Sequence, residues 1–442
     1  MIKMLKPING DRAPRPVKLT DAAFPAPFAG GLEYNPPARG VWNIVHTAML
    51  IPESHQIYVC AQGCLRGVIL TAAEMNAMER MSWVSLREQD MWSGEMEQRV
   101  VEGCAHIIDR LPSHPRCITV FLSCMHIFEG CDFRVIQQSL SELYPDIDFV
   151  DCYMIPTMRK AMSPEAMMYR QLYKPVKKLP TDNSLVGLTG TQFTFDKQSE
   201  LFDILAAAGK RTWELPLCKS YEEYLSLGSA EFCISTQPTA YASVKELNKT
   251  LGIDVLYLPL CYDYDEIESC YDKLCERLGI VRFDTAPYRG AAEKALASLK
   301  ETLGGRPISI DHTATPRPLG MALLLCEHGF NVKSIYSDVF IPEERAAFDK
   351  LKALGADIDI FPTLDAAMTF AVPEPDSSVL AIGQKAAYFN NTDRFVDIVY
   401  GGGLYGFGGI VSLCKLLEEA ARVPKDTRRV ISHKGWGCES CL

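Results

Sequence analysis

The sequence contains no run of 18 or more apolar residues, so no segment reads as a membrane span. It also has no Gly-x-x-x-x-Gly-Lys-Ser/Thr, and hence no Walker-type loop to cradle ATP phosphates. Positive charge is in deficit. Lys and Arg number 45 against 55 Asp and Glu, a formal net charge of −10 with a pI near 5.4. A basic face for nucleic-acid phosphates is not expected on such a chain. The stretch Met1–Arg15 is polar, basic and proline-containing and lacks the apolar core of a secretory signal, so a cytoplasmic protein is expected. At 442 residues the chain exceeds one ordinary core, which predicts two or three domains.

Cysteine, by contrast, is abundant. A cytosolic chain with 16 of them does not read as a set of disulfides, so metal ligation and buried thiols are the competing explanations. Two short runs stand out. Cys60-Ala-Gln-Gly-Cys64 follows the apolar stretch Ile57–Val59, and Ser123-Cys124-Met125-His126-Ile127-Phe128-Glu129-Gly130-Cys131-Asp132 follows Ile118–Leu122. Each apolar stretch reads as a buried parallel strand delivering a thiol at its carboxyl end, where α/β sheets place their chemistry. Clustered thiolates are soft ligands suited to an iron–sulfur cluster or zinc. Cys104, Cys117, Cys152, Cys218, Cys261, Cys270, Cys275, Cys326 and Cys414 lie in apolar or helical settings and read as packing.

The first forty residues, rich in Pro and Gly, read as an irregular surface arm. From Trp42 short apolar strands alternate with amphipathic helices. Ser85–Leu111 and Phe133–Leu143 read as helices, Ile118–Leu122 and Ile147–Tyr153 as strands. Lys174–Asn183 reads as a linker. A second unit follows, with strands Ser184–Leu188, Arg211–Leu215 and Ile253–Leu258 and helices Asp196–Ala208, Lys219–Leu227 and Ala240–Leu251. A third unit has helices Ala291–Leu303, Met321–His328 and Pro342–Leu354, and strands Pro307–Asp311, Val332–Tyr336, Ile358–Ile360 and Val379–Ile382. The pattern predicts an α/β protein of three Rossmann-like domains with parallel sheets, at 1–180, 181–285 and 286–425, with a tail at 426–442. Ligands are expected at the sheets' carboxyl ends, where the domains face each other.

Several of these segments, in this order, resemble component 1 of nitrogenase and its relatives, among them reductases of tetrapyrroles. Gly63-Cys64 is similar to the family's Gly-Pro-Val-Gly-Cys element. Glu88-Gln-Asp-Met-Trp-Ser-Gly94 is similar to its Glu-x-Asp-x-x-x-Gly helix opening, and Cys124–Asp132 to its Cys-Pro-x-x-x-x-Gly-Asp-Asp. Leu185-Val186-Gly187 resembles the start of its second domain, and Tyr400–Gly409 its glycine-rich stretch beside the active-site cavity. The resemblance implies an oxidoreductase component holding an iron–sulfur cluster, [4Fe-4S] or larger, at a subunit interface. It implies a dimeric or tetrameric assembly with a second copy or a related component 1 subunit. It also implies a separate ATP-dependent iron–sulfur reductase as electron donor.

By position Cys64 and Cys124 match the family's ligands best. Cys60 is an added candidate, and Cys131 sits where the family has an acid. The family's earlier cysteine, expected near Glu33–Ala38, is missing. The ligand set expected here is Cys60, Cys64 and Cys124, with a fourth ligand from a partner. Structural thiols, or zinc at Cys60 and Cys64, are the alternatives. The family's catalytic metal cofactor is held by a cysteine and a histidine, whose places fall here near Thr236–Gln237 and Val396. A FeMo-type cofactor is therefore not expected, and the interdomain cavity is open to an organic substrate such as a tetrapyrrole. A scaffold for metallocluster assembly is the alternative function.

Reduction needs protons as well as electrons. His46, His55 and His126 lie in the cysteine-bearing unit, and His126 is two residues from Cys124. His312, after the strand Pro307–Asp311, is expected to open toward the cavity. The plainer reading of each, a histidine satisfied by a backbone carbonyl, stands beside this. Arg66, Lys385 and Tyr405 are further candidates for cavity contacts, with a solvated lysine the plainer reading of Lys385. The tail carries Cys438-Glu-Ser-Cys441, a redox pair, half a metal site or incidental thiols.

Overall fold

The computed structural model describes residues 15–31, 33–34, 44–155, 164–371 and 374–426. The tail cysteines Cys438 and Cys441 lie outside the described residues.

A short strand, β1 (Val17–Lys18), opens the described chain. The first α/β unit then runs α1 (Ile44–Met49), β2 (Ser54–Ala61), α2 (Gln62–Glu74), β3 (Met81–Leu86), α3 (Glu88–Trp92), α4 (Met96–Ile108), β4 (Cys117–Ser123), α5 (Cys124–Phe128), α6 (Phe133–Leu143) and β5 (Asp148–Met154). Its four strands are parallel in the order β3-β2-β4-β5. Every residue of β4 is buried, as expected for a central strand covered on both faces. β3 alternates buried and exposed positions because it is the sheet's edge. The helix expected over Ser85–Leu111 is corrected on two counts. Its first residues belong to β3, and Ser93-Gly94, with Gly94 at φ 70°, separates α3 from α4.

After α7 (Pro164–Leu172) comes the second unit, with β6 (Asp182–Thr189), α8 (Leu201–Ala207), β7 (Arg211–Glu214), α9 (Tyr221–Leu225), β8 (Ala230–Ser235), α10 (Pro238–Val244), α11 (Glu246–Leu251) and β9 (Asp254–Tyr257). Its sheet order is β7-β6-β8-β9, again parallel. Two helices follow, α12 (Tyr264–Leu278), capped by the Asp263 carboxylate and ended by Gly279 at φ 66°, and α13 (Ala286–Leu303).

The third unit comprises β10 (Pro307–Asp311), α14 (Pro318–Glu327), β11 (Asn331–Tyr336), α15 (Arg345–Ala353), β12 (Asp359–Phe361), β13 (Leu380–Ile382), α16 (Gln384–Asn390), β14 (Phe395–Val396) and α17 (Gly406–Arg422). Its strands run β12-β11-β10-β13-β14 in parallel, and β1 closes the edge antiparallel to β12, with Val17 opposite Ile360. The arm expected to be irregular thus reaches across the chain to extend the last sheet, and Leu19 beside it is fully buried.

The largest core joins the second and third units and is continuous from Val186 and Phe232 to Ile310 and Leu417. Glycines make this seam close. A Cβ on Gly403 would stand 1.9 Å from the Thr194 carbonyl oxygen, and one on Gly408 2.1 Å from that of Gln198. The glycine-rich stretch expected beside an active-site cavity therefore serves first to let two backbones touch.

Candidate cluster site and interdomain cavity

In the first sheet the chain order reverses at β2, whose neighbours β3 and β4 lie on opposite sides. The crevice between the carboxyl ends of β2 and β4 is the place such sheets reserve for ligands. Three cysteines meet it. Cys60 is the penultimate residue of β2, Cys64 lies in the first turn of α2, and Cys124 is the first residue of α5. Register explains the convergence, since Val59 pairs with Leu122 and both strands end within two residues of that rung.

Cys60 is fully buried and its thiol is pushed up to about 12, first by burial and then by the neighbouring charges of Cys64 and Cys124. Cys60 thus lies within electrostatic reach of both Cys64 and Cys124. Cys64 is exposed and Cys124 half-buried, so the group opens to the surface. The amino end of α2 has no side-chain cap and no acid in its first turn, leaving N–H groups that favour negative charge there. Gly63 and Gly67 have open space where a Cβ would stand, so nothing inside this chain requires glycine at either place.

Among the described residues, no three His, Cys, Asp or Glu side chains close on one point as ligands of a single ion would. Cysteines of a multi-iron cluster bind different irons and stand farther apart than the ligands of one zinc ion. The chemistry and opening of the Cys60, Cys64 and Cys124 group fit a cluster of that kind.

The other first-unit candidates are placed differently. Cys131 is raised to about 11 by burial, with Glu97 and Glu129 as the charges beside it, and it packs in a separate core below α4 and α6. His126 is fully buried and turns back on its own helix, where Nδ1 accepts the Ser123 amide at 3.1 Å. That bond puts the proton of the neutral ring on Nε2. Burial lowers the ring to about 4, so it is uncharged at neutral pH.

A cavity of about 1110 Å³ lies between the first two units. Its floor comes from the amino end of β2, at Glu53, Ser54 and His55, and from the loop before β4. Its roof is formed by Gln192–Thr194 after β6 and Pro216–Lys219 after β7. The carboxyl ends of the second sheet therefore face the amino ends of the first, and the carboxyl ends of the two sheets do not meet. Since β2 rises about 3.3 Å per residue, Cys60 stands about 20 Å from Ser54.

His46, His55 and His114 line this cavity. The His55 ring, whose Nε2 lies 2.9 Å from the Ser82 hydroxyl, is lowered to about 4 by burial and by the Arg80 guanidinium. His312 is not among the lining residues. It follows β10 in the third unit, half-buried, with Nδ1 3.3 Å from the Tyr336 carbonyl oxygen. Nor are Lys385 and Tyr405. Lys385 is 2% exposed, not solvated, and its amine is lowered by burial. Tyr405 donates its hydroxyl to the Leu258 carbonyl at 3.2 Å, and Arg66 is exposed on α2.

The places expected from the sequence for the ligands of the family's catalytic metal cofactor are otherwise engaged or buried. The Gln237 amide donates to the Tyr400 carbonyl at 2.9 Å, and Val396 is buried within β14. Cys233 is fully buried inside β8. These residues do not fit such a cofactor.

The family described as nitrogenase component 1 type oxidoreductase matches residues 45–369. The chain belongs to this family. Solved structures agree on the fold. "Nitrogenase Cp1 at pH 6.5" is 13% identical with a TM-score of 0.67, covering 89% of this chain and 94% of that one. "Nitrogenase Cp1 at pH 5" is 12% identical with a TM-score of 0.59, covering 89% and 91%. A search of curated proteins finds no match. In this nitrogenase component 1 type chain, no helix among the described residues is long and apolar enough to cross a membrane.

Sequence reasoning singled out the converging thiols because each follows an apolar run. It missed Arg80 and Gln192 in the cavity, since their neighbours are distant in sequence, and Cys218, read as packing, also lines it. It also missed Asp311, which accepts the Thr313 and Ala314 amides and, from α16, the Ala386 amide at 2.8 Å.

Proposed function

We propose that this protein is the electron-accepting component of a nitrogenase-like reductase, in which Cys60, Cys64 and Cys124 hold one side of an iron–sulfur cluster. The observation that supports this most is the placement of the three cysteines at the crevice of the first sheet, with Cys64 and Cys124 close enough to Cys60 for their charges to act on it. Because the group opens to the surface, a partner subunit, a second copy or a related chain, supplies the remaining ligand. Ile127 and Phe128, one turn after Cys124 on α5, are exposed apolar side chains, as a face covered by a partner would present. When bound, such a cluster stores and passes single electrons at low potential.

This chain's residues bury Cys60, present Cys64 and Cys124, and hold the amino end of α2 toward the anionic group. Its cavity, at the far end of β2, receives an organic substrate. A dimeric ATP-dependent iron–sulfur reductase is the electron source. The test is anaerobic purification followed by iron and sulfide assay and EPR. Stoichiometric iron and a cluster signal are expected from the wild type, and both should fall sharply in a Cys60→Ala, Cys64→Ala, Cys124→Ala triple variant. Undiminished iron in that variant would overturn the assignment.

A further inference from the structure

The cavity between the first two units is lined by a guanidinium with no carboxylate partner and a primary amide with no partner at all among the described residues. Arg80 follows α2 and is part-buried. Its Nε donates to the Ser54 carbonyl at 3.2 Å, and one Nη donates to the Ile51 carbonyl at 2.7 Å and the Ser54 hydroxyl at 2.9 Å. These partners are all neutral. Among the described residues no carboxylate lies within ion-pair distance of it, and the neighbouring Glu79 acts only from farther away. A part-buried guanidinium fixed on three neutral acceptors lacks the counter-ion that normally offsets its desolvation.

Gln192, on the opposite wall, is 8% exposed, and neither its amide nitrogen nor its amide oxygen has a hydrogen-bond partner among the described residues. A buried primary amide left unpaired on both sides has lost its water without regaining hydrogen bonds, and so is destabilising. Between these groups the walls are largely apolar, with Met49, Met75, Phe193 and Leu217. At the rim Lys219 adds a cation, and Arg116 is already paired with Glu222 at 2.5 Å. Glu53 and Glu79 are the carboxylates that line it, and Glu53 accepts the Tyr221 amide at 3.2 Å.

We infer that the cavity binds an organic carboxylate, its anionic group on Arg80, a polar edge on Gln192 and an apolar body along the walls. This rests on the reading of the cavity as the substrate site and narrows its substrate to anions. A ligand of that kind supplies the missing counter-ion and satisfies the orphan amide, so binding repairs both deficits at once.

The probes are 1-pyrenebutyrate and its neutral counterpart 1-pyrenebutanol, which share one apolar body. In fluorescence titrations of the full chain, wild type should bind the carboxylate at one site and at least about tenfold more tightly than the alcohol. Arg80→Met should abolish that preference and Arg80→Lys retain part of it. Gln192→Leu should weaken carboxylate binding severalfold. Equal binding of the two probes by wild type, or a preference that survives Arg80→Met, overturns the inference. The wild-type pair decides the question even where a variant fails to fold. Iron content, read on the same samples, separates a failure here from a failure of the cluster assignment.

Discussion

The Glu200 carboxylate accepts the Phe407 amide at 2.7 Å and the Gly408 amide at 2.9 Å, so a fully buried acid from the second unit caps the last helix of the third. Both amides belong to the first turn of α17, where no other cap is present. Glu200→Ala leaves them unpaired and should cost roughly 2–4 kcal/mol. Urea denaturation followed by circular dichroism reads this directly, and an unchanged midpoint would contradict it.

The glycines of the chain include some that are sterically required and some that are not. Gly403→Ala drives a methyl into the Thr194 carbonyl at a residue with φ 75°, and should cost more than about 3 kcal/mol or abolish soluble expression. Gly67→Ala on α2 meets open space in a helical backbone and should stabilise the isolated chain by about 0.5–1 kcal/mol. Thermal melts of the two variants should move in opposite directions.

Cys124 and Cys131 lie in one short segment yet face different neighbours. Cys124→Ser should lose most of the bound iron in anaerobic preparations. Cys131→Ser, whose thiol packs among apolar side chains with Glu97 and Glu129 as its charged neighbours, should retain it. Equal iron loss in both would place Cys131 among the ligands.

Glu344 gives the chain a pH-dependent component of stability. The side chain is fully buried. One oxygen accepts the Leu319 amide at 2.6 Å and the Gly320 amide at 3.1 Å, and burial pushes its carboxyl from 4.5 to about 8. Between those two values the folded chain keeps a proton that the unfolded chain has released. Each rise in pH across that window therefore favours unfolding, and above about 8 the loss is complete. Glu344→Gln should match wild type near pH 5 and exceed it near pH 8.5 by on the order of 1–3 kcal/mol. Identical pH dependence in the two proteins would show that Glu344 is ionised within the fold.

Local signals carried much of the architecture. Phe133–Leu143 and Pro307–Asp311 fall where helix and strand were expected, because one has an amphipathic period and the other a compact apolar run. β8 was missed, since Ala230-Glu-Phe-Cys-Ile-Ser is too short and mixed to stand out between two helices. α12 was missed although Asp263 and Gly279 mark its ends, because tyrosines and acids blur its apolar stripe. Long-range contacts left no local trace. The pairing of Val17 with Ile360 and the grip of Arg80 on Ile51 and Ser54 depend on partners brought together only by folding.

One eight-residue strand, β2, carries a thiol near its last residue and a cavity wall at its first. Deleting a single residue from its middle would shift one half of the strand by a rung and turn its side chains to the opposite face. Neither end could then be adjusted without disturbing the other. Insertions and deletions within 54–61 should therefore be tolerated far less than substitutions.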